Sequence, residues 1–321
     1  MSSSTSEAPH RPRAARRAAR GDGVWYPKWF WPSFAAPATL YLLLLFVLPF
    51  FVVVGVTFGG IDPILESPVP VWNPLHWNTG ILSFTWSNIT HSDGLYYEAF
   101  IRTFIYVGTA TAICFLIGYP FAYFVARHAG RFKMLFVVAF FAPFWISYMM
   151  RMMAWISLLQ DDGYVNRILQ GVGILSTPYS WLAGHSVTVV LGLVYGYVPY
   201  MILPLYAALD RIDQSMLEAA RDLGSSPTRT FFRVTLPLSE QAILAGVIIC
   251  ALPMFGDYYT NSLLADTAGT RMIGNWIVDS LSVPILAAKG ASLVLVVIAI
   301  LIVPMLYYLR STRRAAEARF G

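Results

Sequence analysis

Two charges stand inside long apolar stretches of this chain, Arg151 and Asp257. A charged side chain at the centre of a membrane helix costs roughly 2.5 to 3.5 kcal/mol on the insertion scale, so each is expected to face protein and not lipid. Tyr258 and Tyr259 follow Asp257; Trp145, Tyr148 and Trp155 flank Arg151. A carboxylate among aromatic faces suits an organic cation, because each ring adds about 0.5 to 2 kcal/mol of cation–π attraction. On this reading Asp257 and Tyr258 meet a cationic solute, and Trp145, Tyr148 and Trp155 line the same route. Arg151 repels such a solute unless it is neutralised. A second reading is structural: the two charges pair with each other.

Other chemistry finds no support in the sequence. The histidines, at 10, 76, 91, 128 and 185, have no metal-ligand spacing, so no metal site is expected. Cys114 and Cys250 lie in apolar runs, where cysteine serves as small apolar filler. No GxxxxGK[ST], HExxH or GxSxG occurs. The chain is therefore not expected to be an enzyme or to bind a cofactor of its own. The "NIT" at 88–90 matches a glycosylation sequon, a short and weak signal.

The elements that must position these residues follow from composition. The chain is 57% hydrophobic and 12% charged over 321 residues, about half the charged share of a soluble domain. Apolar runs near 34–58, 101–126, 134–158, 186–208, 240–259 and 289–309 are long enough to span a bilayer. Lipid offers no partner for free backbone groups, so each must be helical. The expected fold is an all-α integral membrane protein with six transmembrane helices. Arg151 and Asp257 each lie about 17 residues along their spans, about 25 Å at 1.5 Å per residue, which puts them at equal depth. Most of the 22 Lys and Arg fall before span one, between spans two and three, between four and five, and after six, whereas 59–98 holds none. The positive-inside rule then places both termini in the cytoplasm. The expected organisation is a basic tail at 1–33, a six-span domain at 34–310 and a second basic tail at 311–321. The "RPRAARRAAR" at 11–20 reads as a cytoplasmic anchor and not as a nucleic-acid site. Outside, 59–98 reads as an irregular tryptophan-rich cap, and "DDGYVNRIL" at 161–169 as a short surface helix. Every span holds proline, which removes a backbone donor and permits a kink.

The stretch "EAARDLGSSPTRTFFRVTLP" at 218–237 interrupts this pattern between spans four and five. It punctuates two short helices. Ser215 with Glu218 three residues on is a capping box, with Asp213 a competing cap. Gly224 suits the left-handed position after a helix. Ser226 caps the second helix, with Pro227 at its first position. The apolar faces of this pair, with Phe231 and Phe232, await either a partner or the chain's own bundle.

These residues carry a family resemblance. Glu218-Ala219-Ala220, then Gly224, Val234 and Leu236-Pro237 keep the spacing of the coupling-loop signature of ABC importer permeases; Val234 stands where isoleucine is commoner. The resemblance runs from about 34 to 310. "PFWISYMMRMMAW", "DDGYVNRIL" and "YVPYMILPLYAALDRID" look most like permeases of spermidine/putrescine importers, and permeases for iron and sulfate share parts of them. It implies a coupling helix that docks on a cytoplasmic ATPase. It implies two such ATPase subunits holding ATP and magnesium, a second and related permease chain, an extracytoplasmic substrate-binding protein, and a bacterial inner-membrane location. The cargo it implies is a polyamine. An ion-driven secondary transporter would leave 209–239 without a task and would favour matched halves with broken helices, which the sequence lacks.

Overall fold

The computed structural model describes residues 29–62, 64 and 67–320, and its side chains up to Arg313. The basic stretch at 11–20 and Lys28 lie outside the described residues. The chain divides into two compact units, 1–52 and 53–321. In the first, the described residues form one helical run from Phe30, whose side chains are mostly exposed. It widens to a π-turn at Leu43–Val47. Pro49 accounts for the widening, since its ring would clash with the carbonyl four residues back, at Leu45. The helix as a whole, α1, is Phe30–Thr57.

Among the described residues of the second unit, the only strands form a short hairpin and the other elements are helices. There β1 (Gly60–Ile61) pairs antiparallel with β2 (Pro68–Val69), Gly60 opposite Val69. A helix α2 (Gly80–Thr90) follows, so the segment 59–98 is more ordered than the expected irregular cap. Its tryptophans explain this: Trp77 stacks on Phe58 at 4.5 Å and its indole donates to the Val71 carbonyl at 3.1 Å. The long helix α3 (Tyr97–Arg127) packs on α7 (Ser186–Arg211). Between them come α4 (Gly130–Trp145), α5 (Tyr148–Leu159) and α6 (Tyr164–Gly171). The last is the expected surface helix. Asn166 on it is buried and satisfied by the carbonyls of Gln160, Asp161 and Tyr179 and by the Tyr179 and Trp181 N–H groups.

After α7 come α8 (Gln214–Asp222), α9 (Pro227–Leu238), α10 (Glu240–Phe255), α11 (Tyr259–Leu264), α12 (Ile273–Ser282) and α13 (Ala287–Phe320). The last continues as helix past 310 into the segment expected as a basic tail. Thr85 on α2 hydrogen-bonds Ser292 on α13, and both are fully buried.

Among the described residues, four helices are long and apolar enough to cross a membrane: α1, α3, α7 and Pro284–Arg313. The expected third and fifth spans are not straight rods. The pair α4 and α5 bends by 89°, and α9 and α10 by 63°. The number of crossings reaches six if each bent pair is one span. The first bend has a local cause. Pro143 sits in a tight turn at Ala142–Trp145, and Ile146 and Ser147 are extended. Ser147 then caps α5, accepting from the Met150 N–H.

Candidate translocation site

The bend corrects the sequence expectation for Arg151 and Asp257. Counting residues measures depth only along straight helices, and α5 leaves α4 nearly at a right angle. Asp257 does not end a span either, because α10 stops at Phe255 and Asp257 sits in the break before α11. The two charges face one cavity of about 390 Å³, yet they form no ion pair.

Each charge has its own partners. Asp257 is only 7% exposed. Its Oδ2 accepts from the Tyr197 hydroxyl at 2.9 Å, the Thr260 hydroxyl at 2.8 Å and the Tyr148 hydroxyl at 3.3 Å. Its Oδ1 accepts from the Thr260 backbone N–H at 2.9 Å. Four donors in a buried site keep a carboxylate soluble in the core. Arg151 donates from Nε to the Ile146 carbonyl at 3.2 Å, while its guanidinium lies over Phe144 at 4.7 Å, Tyr148 at 5.3 Å and Tyr195 at 5.6 Å. Its Nη1 is buried without a hydrogen bond.

Glycines on α7 make this arrangement possible. A Cβ at Gly196 would stand 2.7 Å from the Tyr148 ring, and one at Gly192 would stand 2.5 Å from Thr260. On α12, a Cβ at Gly274 would stand 2.7 Å from the Asp257 carbonyl. Small residues four apart on one helix let neighbouring segments sit close in a membrane bundle. Gly192 and Gly196 could have been read as such a pair from the sequence. Tyr195, Tyr197, Phe144 and Thr260 could not, since only the packing turns them toward the charges.

The remaining expected path residues divide. Tyr148 and Tyr258 line the cavity with Asp257 and Arg151. Trp145 lines a second cavity of about 460 Å³ that continues along α7 past Leu203 to Ala207. Trp155 packs edge-on against Tyr195 at 5.2 Å, behind the guanidinium.

The segment at 213–238 folds with the expected punctuation, with one substitution of cap. Asp213 and not Ser215 caps α8, accepting from the Ser215 N–H at 3.0 Å, and that bond holds its carboxyl below the usual range. Gly224 has φ +81°, the left-handed position. Ser226 accepts from the Arg229 N–H at 3.3 Å, with Pro227 at the first helical position. A second π-turn, Phe231–Thr235, precedes Pro237, whose ring opposes the Arg233 carbonyl as Pro49 opposes that of Leu45. Phe231 stands edge-on to Tyr119 and Tyr123 of α3, at 5.7 and 5.4 Å. The Tyr119 hydroxyl hydrogen-bonds Ser239 at 2.9 Å, at the bend before α10. Glu218, Ala219, Ala220, Val234 and Leu236 thus sit on a segment fastened to the bundle on one side. Leu223 (88% exposed) and Phe232 remain uncovered.

Residues 29–317 match the family described as the inner membrane component of binding-protein-dependent transport systems. This chain belongs to that family. Inner membrane components similar to it include the spermidine/putrescine transport system permease protein PotB of Escherichia coli K12. That protein is 36% identical over 195 residues, covering 60% of this chain and 70% of PotB. PotB of Haemophilus influenzae is 41% identical over 170 residues, covering 53% and 59%. The inner membrane ABC transporter permease protein YdcU of E. coli K12 is 33% identical over 192 residues, covering 56% and 61%. Among solved structures, a chain of the bacterial alginate ABC transporter with its alginate-bound periplasmic protein has the same fold. Its TM-score is 0.65 at 14% identity, covering 89% of this chain and 95% of that one. The MetNI methionine ABC transporter in an inward-facing conformation gives 0.50 at 15% identity, covering 68% and 95%. The chain is therefore a multi-pass inner-membrane permease subunit of the ABC importer class.

Proposed function

We propose that this permease subunit translocates a polyamine of the spermidine/putrescine kind across the inner membrane, driven by ATP hydrolysed on two cytoplasmic ATPase subunits. The observation that carries this reading is the cavity around Asp257. A buried carboxylate stands among Tyr148, Tyr197, Tyr200, Tyr258 and Tyr259. A polyamine is a string of ammonium groups on a flexible chain, and such a wall offers it a fixed negative charge with ring faces around it. The similarity to spermidine/putrescine transport system permeases supports the same choice.

Coupling is assigned to Glu218, Ala219, Ala220, Gly224, Val234, Leu236 and Pro237. The exposed Leu223 and Phe232 are the contacts offered to the ATPase, and Phe231 with Tyr119 passes its movement to α3. A second, related permease chain completes the pathway, a binding protein delivers the cargo from outside, and both termini lie in the cytoplasm. ATP and magnesium belong to the ATPase subunits, and no cofactor is assigned to this chain. The test is uptake by the chain purified with its co-expressed neighbours in proteoliposomes. Labelled spermidine and putrescine should accumulate with ATP inside, and each should compete with the other. Uptake of sulfate or ferric iron in their place would discard the polyamine. Uptake driven by an ion gradient without ATP would discard the importer mechanism.

A further inference from the structure

The Asp257 cavity and the larger apolar cavity along α7 share three lining residues: Arg151, Gly196 and Tyr200. Gly196, Tyr200, Leu203 and Ala207 follow one another down a single face of α7, toward the coupling segment. The two spaces are consecutive chambers along one helix face, with the Arg151 guanidinium at their boundary.

What holds the half-buried guanidinium there is unusual for an arginine. It has no carboxylate partner, although Asp257, held by Tyr148, Tyr197 and Thr260, lines the same chamber. It is held by three ring faces and one backbone carbonyl, with Nη1 left unbonded. An alkylammonium can make each of these contacts. A neutral or anionic solute makes none of the ring contacts.

We propose that Arg151 is the gate between the two chambers, a tethered cation that fills the box of Phe144, Tyr148 and Tyr195 until an ammonium group of the cargo takes its place. This rests on reading the cargo as an organic cation, and it makes the gate itself a specificity filter. The exchange swaps one positive charge for another on the same rings, so it needs no buried charge to be left bare. Tyr148 ties the event to Asp257, because its ring belongs to the box and its hydroxyl to the carboxylate.

The test uses the assembled complex in proteoliposomes loaded with labelled tetramethylammonium, without ATP or binding protein. Passive efflux from the resting complex is the readout. Arg151→Ala removes the gate, and Phe144→Leu weakens the box while leaving the arginine. Phe144→Leu should raise efflux roughly fivefold, the factor for about 1 kcal/mol from one partly exposed cation–π contact, and Arg151→Ala, which loses all three ring contacts, by more. Arg151→Lys, a cation that stacks less well, should fall between them and the parent. Efflux at the parental rate in both Arg151→Ala and Phe144→Leu would overturn the gate. If Arg151→Ala does not assemble, Phe144→Leu decides alone, with the same two outcomes. Raised efflux in a complex that transports no polyamine would keep the gate and discard the cargo. Normal polyamine uptake with no extra efflux in the variants would do the reverse.

Discussion

Gly196→Ala tests how tightly the site is built. The added Cβ would lie 2.7 Å from the Tyr148 ring and 2.9 Å from its hydroxyl, where 3.4 Å is the start of ordinary contact. The ring must yield by about 0.7 Å, or α5 must move off α7. Overpacking of this kind costs about 1 to 3 kcal/mol. If the ring turns away, its hydrogen bond to the Asp257 carboxylate is lost as well, a further 1.5 to 3 kcal/mol or so for a charged acceptor. The expected destabilisation is therefore roughly 2.5 to 6 kcal/mol. It is measured as a shift of the unfolding midpoint in mixed micelles, inside a double-mutant cycle with Tyr148→Ala. Removing the ring removes the clash, so the double variant should be at least about 1 kcal/mol more stable than the sum of the single effects. An additive cycle, or a Gly196→Ala protein as stable as its parent, would mean that Tyr148 does not sit against α7. The placement of both charges would then fall with it.

Three further outcomes follow from the same contacts. Asp257→Asn should lower polyamine uptake by at least about tenfold, the factor for roughly 1.5 kcal/mol of charge-assisted bonding; uptake at the parental rate would remove Asp257 from the path. At Gly224 a Cβ meets open space, so only the left-handed backbone is at stake. Gly224→Ala should cost about 1 to 2 kcal/mol and Gly224→Asn less, with loss of cargo-stimulated ATPase activity in that order. Equal activity in both would mean that the turn does not carry coupling. Tyr119→Phe keeps the ring against Phe231 and removes the bond to Ser239. It should leave assembly intact, as seen by co-purification, while reducing the ratio of stimulated to basal ATPase activity; an unchanged ratio would detach the bend from coupling.

The segment at 213–238 was legible as two punctuated helices because its signals are local. A cap, a glycine at a left-handed position and a proline at a first turn each act within a few residues. Even there, the choice between Asp213 and Ser215 was settled only by which side chain reached a free N–H. The charges were legible as a pair of anomalies but not as a geometry. Pro143 announced a possible kink, yet the size of the bend depends on Ser147 restarting the helix and on Tyr148 finding the notch at Gly196. The end of α10 at Phe255 was hidden for a similar reason. Apolar composition continues across it, and only the donors that gather around Asp257 decide that the chain turns there. Tyr195 and Phe144 looked like ordinary apolar wall because nothing in their spacing shows that a guanidinium will lie across them.

The buried tie between Thr85 and Ser292 spans 207 residues of sequence. At about 5 to 20 residues per second, a ribosome needs roughly 10 to 40 s to make the second partner after the first. For that interval the inner face of α2 has no mate, and the apolar cleft it forms with Leu295, Val296 and Ala299 of α13 is half a cleft. Biogenesis of this subunit therefore ends where α2 meets α13. The helix α2 waits in place for the last membrane helix, and any insertion factor that shields nascent apolar surface has a long task there.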